Sequence, residues 1–158
     1  MLGLVPKLSS AADISGALSL AVGPAVACQH VRALAALAGL RVRSLTHSAE
    51  DASEGDRSAL RAYRAQLTSL EARLTQADID AAKLVFTWSD TLKPKCVDSH
   101  ATIGHERASL LFNEAALLSR AAAKSVSQRT PDGRKAGIKG FREAAAALTY
   151  LKDVLMPR

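Results

Sequence analysis

Apolar residues recur along most of the chain at the three- and four-residue spacing of one helical face, and this pattern predicts helices. The clearest stripe consists of Leu60, Tyr63, Leu67, Leu70 and Leu74. It predicts a helix that begins at Asp56 or Ser58, with its arginines mostly off the stripe as surface residues. Residues 48–56, just before it, are acidic and small and predict a loop.

The N-terminal part of the chain predicts an extended segment and two helices. Residues 1–12 combine short apolar and small polar residues with a proline, which favours an extended arm or a short edge strand. Asp13 is placed to cap a first helix that continues to about Val22, where a Gly-Pro pair ends it. Apolar residues at helical spacing predict a second helix over residues 25–45.

A shorter helix is predicted after residue 78. Asp78 is placed to start it, and its apolar residues continue through Phe86 and Trp88. The sequence Lys93-Pro94-Lys95 then ends it, because proline does not continue a helix.

Two long helices are predicted in the C-terminal third. The first covers residues 103–127, and the second begins at Thr130-Pro131-Asp132, which supplies a capping hydroxyl, an N-terminal proline and an acid in the first turn. The apolar stripe predicted for the second helix is Ile138, Phe141, Ala145, Leu148 and Tyr150 or Leu151. Clusters of alanine, and glycines at Gly133, Gly137 and Gly140, favour a close antiparallel pair. The sequence therefore predicts an all-α fold of antiparallel helix pairs that form a tetratricopeptide-like array.

Composition supports a single domain over residues 1–158. Apolar residues make up 48% of the 158 residues but aromatic residues only 4%, and much of the difference is alanine, which favours closely packed helices with a thin core. No apolar run is long enough to span a bilayer. Cys28 and Cys96 do not form a disulfide framework, so a cytoplasmic location is expected.

The net charge of +6 is concentrated in the C-terminal third. Residues 1–100 contain 11 Lys/Arg and 10 Asp/Glu, whereas residues 101–158 contain 10 and 5. Such a surface suits an acidic peptide, an anionic lipid or a nucleic acid, or it only confers solubility. Lys135 and Lys139 lie four residues apart on one helical face, which is either a solvated face or a patch that receives an acidic helix.

The group that comes closest to a reactive cluster is Cys96, Asp98, His100, His105 and Glu106. It lacks the tightly spaced ligand pairs typical of zinc sites, so it is interpreted as a polar loop with a capping interaction, and no metal or cofactor is predicted. A Cys–His nucleophile pair would lack a third orienting group and an oxyanion hole. The protein is therefore predicted not to be an enzyme.

Two further residues carry specific predictions. Cys28, within an alanine-rich predicted helix, is expected to be a small buried apolar residue. Asn113 lies among apolar residues in the middle of a helix and is expected to make a satisfied interhelical hydrogen bond.

Several segments together resemble the BRO domain family of Alix-like endosomal adaptors. The resemblance is strongest over residues 58–153. It rests on Phe86-Thr87-Trp88-Ser89-Asp90, on the helix from Gly104-His105-Glu106-Arg107 to Leu111-Phe112-Asn113, on Ser119-Arg120-Ala121-Ala122-Ala123, on the Asp132-Gly133 turn and on Tyr150-Leu151-Lys152-Asp153. His105 departs from the family pattern, which has an aromatic residue after the glycine.

The resemblance implies a curved helical array with a short β-element near the N-terminus. It also implies binding of the amphipathic C-terminal helix of an ESCRT-III subunit on a concave face, in endosomal sorting. Lys135 and Lys139 resemble family lysines near that groove and are the expected partner-binding residues. Peripheral association with endosomal membranes is a further expectation.

The length of the chain qualifies that function. A family domain is more than twice as long, and the apolar residues that dominate ESCRT-III binding lie in helices beyond residue 158. A domain incomplete at its C-terminus is therefore expected to bind an ESCRT-III peptide weakly or not at all. The alternatives are a truncated gene product without this binding, a short protein that self-associates through an apolar face, and a basic helical nucleic-acid-binding protein. Nucleic acid is not the expected partner, because Phe141 and Tyr150 are assigned to the apolar face.

Overall fold

The computed structural model describes residues 4–46 and 53–155, which form seven α-helices and one β-hairpin. The helices are α1 (Ile14–Val22), α2 (Pro24–Gln29), α3 (Val31–Leu45), α4 (Glu54–Glu71), α5 (Gln76–Ala81), α6 (Ile103–Ser127) and α7 (Pro131–Tyr150). Strands β1 (Phe86–Ser89) and β2 (Val97–His100) lie between α5 and α6, and a π-helical turn, Leu151–Leu155, follows α7. The predicted helical array and its short β-element are confirmed. None of the described helices is both long and apolar enough to cross a membrane.

Side-chain caps fix where several helices begin. Asp13 accepts a 2.8 Å hydrogen bond from the Gly16 amide at the start of α1, and Thr130 accepts one of 3.0 Å from Gly133 at the start of α7, as predicted. Helix α4 begins earlier than predicted, because Ser53 and Asp56 form a reciprocal capping box that places Asp56 in the first turn. The predicted loop before it falls largely on residues 47–52, which lie outside the described part of the chain.

The prediction of one helix over residues 25–45 is wrong in one respect, because the segment forms two helices, α2 and α3. The break is at His30, whose backbone amide donates to the carbonyls of both Val26 and Ala27 and so closes α2. Helix α3 starts at the next residue.

The helix predicted through Trp88 is also wrong at its C-terminal end. Helix α5 ends at Ala81, and Lys83 has a left-handed φ of 51° that a continuing helix does not allow. Residues 86–89 instead form β1, which pairs with β2 in antiparallel register from Phe86–His100 to Ser89–Val97. Aromatic and β-branched residues are favoured in such a half-buried strand.

The N-terminal segment is extended, as predicted, and lies along β1. Ser9 forms an isolated antiparallel bridge with Trp88. The Ser89 amide donates to the Leu8 carbonyl at 2.8 Å, and the Ser10 amide donates to the Thr87 carbonyl at 3.2 Å. The segment therefore covers the edge of the hairpin that β2 does not occupy.

Helix α6 is the centre of the fold, since it packs against α4, α7 and β1. Its buried side chains meet those of the hairpin and of α4, and the largest fully buried residues include Trp88, Tyr63, Phe86, Leu110 and Leu117. Burial of side chains of this size removes roughly 1.5–3 kcal/mol of unfavourable hydration each.

Small residues bring α6 and α7 together. Gly133, Gly137 and Ala144 of α7 are buried against α6, and a methyl group at Gly137 would lie 2.2 Å from Cγ2 of Val126. The predicted apolar stripe of α7 is wrong as its packing face, because Ile138 and Phe141 remain 55% and 41% exposed. The face with glycine and alanine packs against α6 instead, because its small side chains permit a closer approach of the two backbones.

Candidate partner-binding groove

A groove runs over α6, with α4 as one wall and α7 as the other. It contains two cavities of about 420 and 350 Å³, and both are lined by Arg61 of α4, Leu118 of α6 and Glu143 of α7. Because the two cavities share these residues, they form one continuous trough. Its α7 wall extends from Ala136 to Tyr150.

The floor of the groove is apolar and shallow. Leu111 and Leu118 of α6 lie along it, each 4% exposed, together with the small side chains of Ala121 and Ala122. Leu111, Leu118 and Ala122 are separated by seven and four residues, the spacing that places side chains on one face of a helix. The small residues leave room for a ligand's side chains but offer few large anchors of their own.

An ion-pair cluster joins α4 to α6 at the groove. Oε1 of Glu114 accepts a 2.5 Å hydrogen bond from Nε of Arg61, and Oε2 lies 2.9 Å from Nη1 of Arg64. The hydrogen bond to Glu114, opposed by partial burial, raises the pKa of Arg61 above its ordinary value. One buried carboxylate therefore fixes two arginines of the groove wall, and Nη1 of Arg61 lies 3.4 Å from Oε1 of Glu54.

The structure separates the two lysines predicted to bind a partner. Lys139 lines the larger cavity, and its side chain is 80% exposed, with Nζ 3.9 Å from Oε1 of Glu143. Lys135 is exposed one turn earlier on α7 and does not line either cavity. Lys139 is therefore the lysine that a ligand in the groove would meet first.

Sequence reasoning missed the participation of Arg61, Arg64 and Glu114. Two signals were present: arginines three residues apart on one helix, and a carboxylate within an otherwise apolar helix. Neither signal identifies its partner, because Arg61 and Glu114 are 53 positions apart and meet only through the packing of α4 on α6.

A second polar centre lies inside the fold, around the buried carboxylate of Glu106. Its Oε1 accepts hydrogen bonds from Nε of Arg41 at 2.9 Å and from the Tyr63 hydroxyl at 3.2 Å, and Oε2 accepts one from Trp88. Burial raises the pKa of Glu106, while the Arg41 charge and the three donors oppose that shift. Glu106 is fully buried, and its donors come from α3, α4 and β1, so this centre connects these elements to α6.

The hydrogen bond predicted for Asn113 exists, but it is not interhelical. Oδ1 accepts from the Lys7 amide at 2.7 Å, and Nδ2 donates to the Lys7 carbonyl at 3.0 Å. The side chain thus ties the extended N-terminal segment to α6, because this segment, and not a helix, covers that face.

Two predictions about cysteine and histidine change with the structure. Cys28 is exposed, so its prediction as a buried residue is wrong: the short helix α2 packs only Ala27 inwards. Of the five residues considered for a reactive cluster, Asp98, His100 and His105 lie together, while Cys96 is exposed on the hairpin and Glu106 points into the core.

The fold has solved counterparts. A structure of ALIX in complex with the SIVmac239 PYKEVTEDL late domain matches with a TM-score of 0.81 at 24% identity, over 99% of this chain and 24% of that one. A complex of ALIX BRO1 with CHMP4C matches with a TM-score of 0.77 at 23% identity, over 99% of this chain and 46% of that one. A Bro1 domain studied for endosomal targeting matches with a TM-score of 0.78 at 19% identity, over 100% and 44%.

Sequence comparison agrees with the fold. Programmed cell death 6-interacting protein from Mus musculus is 30% identical over 134 residues, which are 81% of this chain and 15% of the relative, and the Rattus norvegicus protein matches equally. The chain therefore spans a small part of these relatives. The family model for the BRO1-like domain matches residues 1–158. This chain belongs to the BRO1-like domain family.

Proposed function

We propose that this chain is a protein-interaction module of an endosomal sorting adaptor, and that its α4–α7 groove receives an amphipathic helix of an ESCRT-III subunit. The observation that carries the proposal is the groove itself, with its apolar floor and charged walls. At 1.5 Å per residue, its α7 wall is about 20 Å long, which suits roughly 14 residues of a helical ligand. Apolar anchors on a groove floor with polar contacts at the rim are typical of helix-in-groove recognition.

The relatives support the class of ligand. ALIX BRO1 forms a complex with CHMP4C, and the fold of that BRO1 domain is shared by this chain. We therefore place the protein in the cytoplasm at endosomes, in a binding role and not in catalysis.

The charges of α7 indicate which side of the ligand faces it. Lys139 at the rim, with Lys135 one turn earlier, favours acidic residues on the ligand helix. Glu143 lies one turn after Lys139 and favours a basic or neutral residue opposite it. The preferred ligand is thus acidic at one end of the groove and apolar along the floor.

The expected affinity is low. The floor consists of leucine and alanine, and Tyr150, at the end of the α7 wall, is the one aromatic side chain among the described residues that line the two cavities. Tight interfaces are dominated by several buried aromatic or arginine anchors. We expect a dissociation constant on the order of 100 μM, about −5.5 kcal/mol, for an acidic amphipathic ESCRT-III peptide.

NMR titration of the ¹⁵N-labelled chain with this peptide tests the proposal. The amides of Ala122 and Gly140, which line the groove, should shift in a saturable manner. Lys139→Glu should weaken binding several-fold, whereas Lys95→Glu, a matched charge reversal on the exposed hairpin, should not. Shifts confined to other surfaces, or an equal effect of the two variants, would show that the groove is not the binding site.

A further inference from the structure

A histidine pair and a carboxylate meet at the junction of the hairpin and α6. Asp98 and His100 are two residues apart on β2, so they lie on the same face of the strand. His105 lies in the first turn of α6, where its amide donates to the Thr102 side chain. One potential ligand atom from each of the three residues lies within 4.8 Å of the others.

The contacts within this group are close. Nε2 of His100 is 2.9 Å from Oδ2 of Asp98, and the ring centroids of His100 and His105 are 4.3 Å apart with a 42° tilt. Nε2 of His105 is buried and has no hydrogen-bond partner among the described residues. A buried polar nitrogen without a partner is costly, so His105 keeps a bonding capacity that the described residues do not use.

We propose that Asp98, His100 and His105 form a binding site for a divalent transition-metal ion of the zinc class. Two imidazoles and one carboxylate suit Zn²⁺, which commonly takes three protein ligands and a water molecule, whereas Mg²⁺ and Ca²⁺ prefer all-oxygen sites. The ion joins β2 to the start of α6. It thereby stabilises the contact between the hairpin and the helix that carries the groove floor.

The site is open, which limits its affinity. The side chains of Asp98 and His100 are 69% and 49% exposed, so binding must order both of them. We expect one Zn²⁺ per chain with a dissociation constant on the order of 10 μM.

Calorimetric titration of ZnCl₂ into the untagged, chelator-stripped chain, in a buffer that does not bind metals, tests the site. Asp98→Ala, His100→Ala and His105→Ala should each weaken binding at least about tenfold, the loss expected when one of three ligands is removed. His30→Ala, which removes an exposed histidine elsewhere, and Cys28→Ser/Cys96→Ser should bind as the unchanged chain does. Excess Mg²⁺ should not compete.

Substitution with Co²⁺ gives a second readout. The d–d absorption should show cobalt with nitrogen and oxygen ligands, and no thiolate-to-cobalt charge-transfer band should appear. Circular dichroism checks that each variant is folded. If His105→Ala does not fold, the variants of the exposed residues Asp98 and His100 test the site. The proposal is overturned if the chain takes up no stoichiometric Zn²⁺, if Asp98→Ala and His100→Ala bind normally, or if binding depends on the cysteines.

Discussion

The indole Nε1 of Trp88 donates a 2.6 Å hydrogen bond to Oε2 of Glu106, and both residues are 1% exposed or less. The other carboxylate oxygen is occupied by Arg41 of α3 and Tyr63 of α4. Three helices and the hairpin therefore meet at one carboxylate. Because its described partners are all donors, Glu106 fixes the relative positions of these elements as well as contributing to their stability.

Glu106→Gln should destabilise the protein strongly. The neutral amide leaves the buried Arg41 without a charged partner. It also has one acceptor oxygen, whereas the carboxylate accepts from Arg41 with one oxygen and from Trp88 with the other. Breaking a buried pair in this way costs about 3–5 kcal/mol. Urea unfolding followed by the fluorescence of Trp88, the only tryptophan in the chain, measures the free energy of unfolding.

Glu143→Gln is the matched control for that experiment. Glu143 is 48% exposed and pairs with Lys139 at 3.9 Å. The free energy of unfolding of the Glu143→Gln variant should therefore stay within about 0.5 kcal/mol of that of the unchanged chain. Equal losses in the two variants would contradict a special role for the carboxylate of Glu106.

Asn113→Ala should release the N-terminal segment from α6. It removes both side-chain hydrogen bonds to the Lys7 backbone and leaves that amide without its partner, which costs about 1–3 kcal/mol. Hydrogen exchange should accelerate most at the Lys7 amide. The amides of α6 and α7 should accelerate only as far as the lower free energy of global unfolding requires.

Ser119→Ala provides a comparison at the far end of the same segment. It removes one hydrogen bond to the segment, the 3.0 Å bond from the Leu4 amide, together with the local bond from the Ser119 hydroxyl to the Ala116 carbonyl. The loosening of the segment should therefore be smaller and confined to the first described residues. Unchanged exchange at Lys7 in the Asn113 variant would show that the other contacts of the segment, such as those with the hairpin edge, hold it without Asn113.

Helices whose ends are marked locally were predictable from the sequence. The bounds of α6 and the start of α7 agree with prediction, because Thr102 and Thr130 cap their own helices within three residues. The sequence pattern predicts Trp88 in a helix, because a short apolar segment has no period that distinguishes strand from helix. Its pairing partner, Asp98, is ten residues away on a strand that is exposed throughout.

The groove was less predictable than the helices that form it. Lys139 and Lys135 share a helical face in the sequence, but only the crossing of α7 over α6 places Lys139 at the cavity. The same crossing exposes Phe141, which a pattern of apolar spacing assigns to the core. The distance and crossing angle of two helices depend on the size of the side chains where they cross. The pattern within one helical segment does not contain this information, because it depends on both segments.

Glu114→Gln should strengthen the binding of an acidic helix to the groove. Loss of this carboxylate frees donors of Arg61 and Arg64 and removes one negative charge from the groove wall. We expect the dissociation constant of the acidic peptide to fall by roughly two- to fivefold, equivalent to about 0.4–1 kcal/mol. NMR titration at two salt concentrations measures this, and the gain should shrink at the higher one. Weaker binding by a folded variant would mean that the ion-pair cluster shapes the site and does not merely neutralise it.

Gly137→Ala should separate α6 from α7 and lower stability, although alanine is the better helix former. The new methyl group would lie 2.2 Å from Cγ2 of Val126 and 3.1 Å from the Ala122 carbonyl oxygen. Valine is stiff about χ1, and the second contact is to backbone, so relief requires the helices to move. Overpacking of this kind costs about 1–3 kcal/mol, which exceeds the helix-propensity gain of about 1 kcal/mol.

Gly39→Ala isolates the propensity effect. Gly39 lies inside α3. Apart from its chain neighbours and the nearby backbone of its own helix, no described heavy atom lies within 4 Å of where its methyl group would be. Without a clash, the substitution should raise the free energy of unfolding by about 0.5–1 kcal/mol. The two variants introduce the same atom into two helices, so shifts of opposite sign in the urea midpoint attribute the difference to the α6–α7 contact. A stabilised Gly137 variant would mean that Val126 and the helix crossing yield easily, and that the small-residue face does not set their distance.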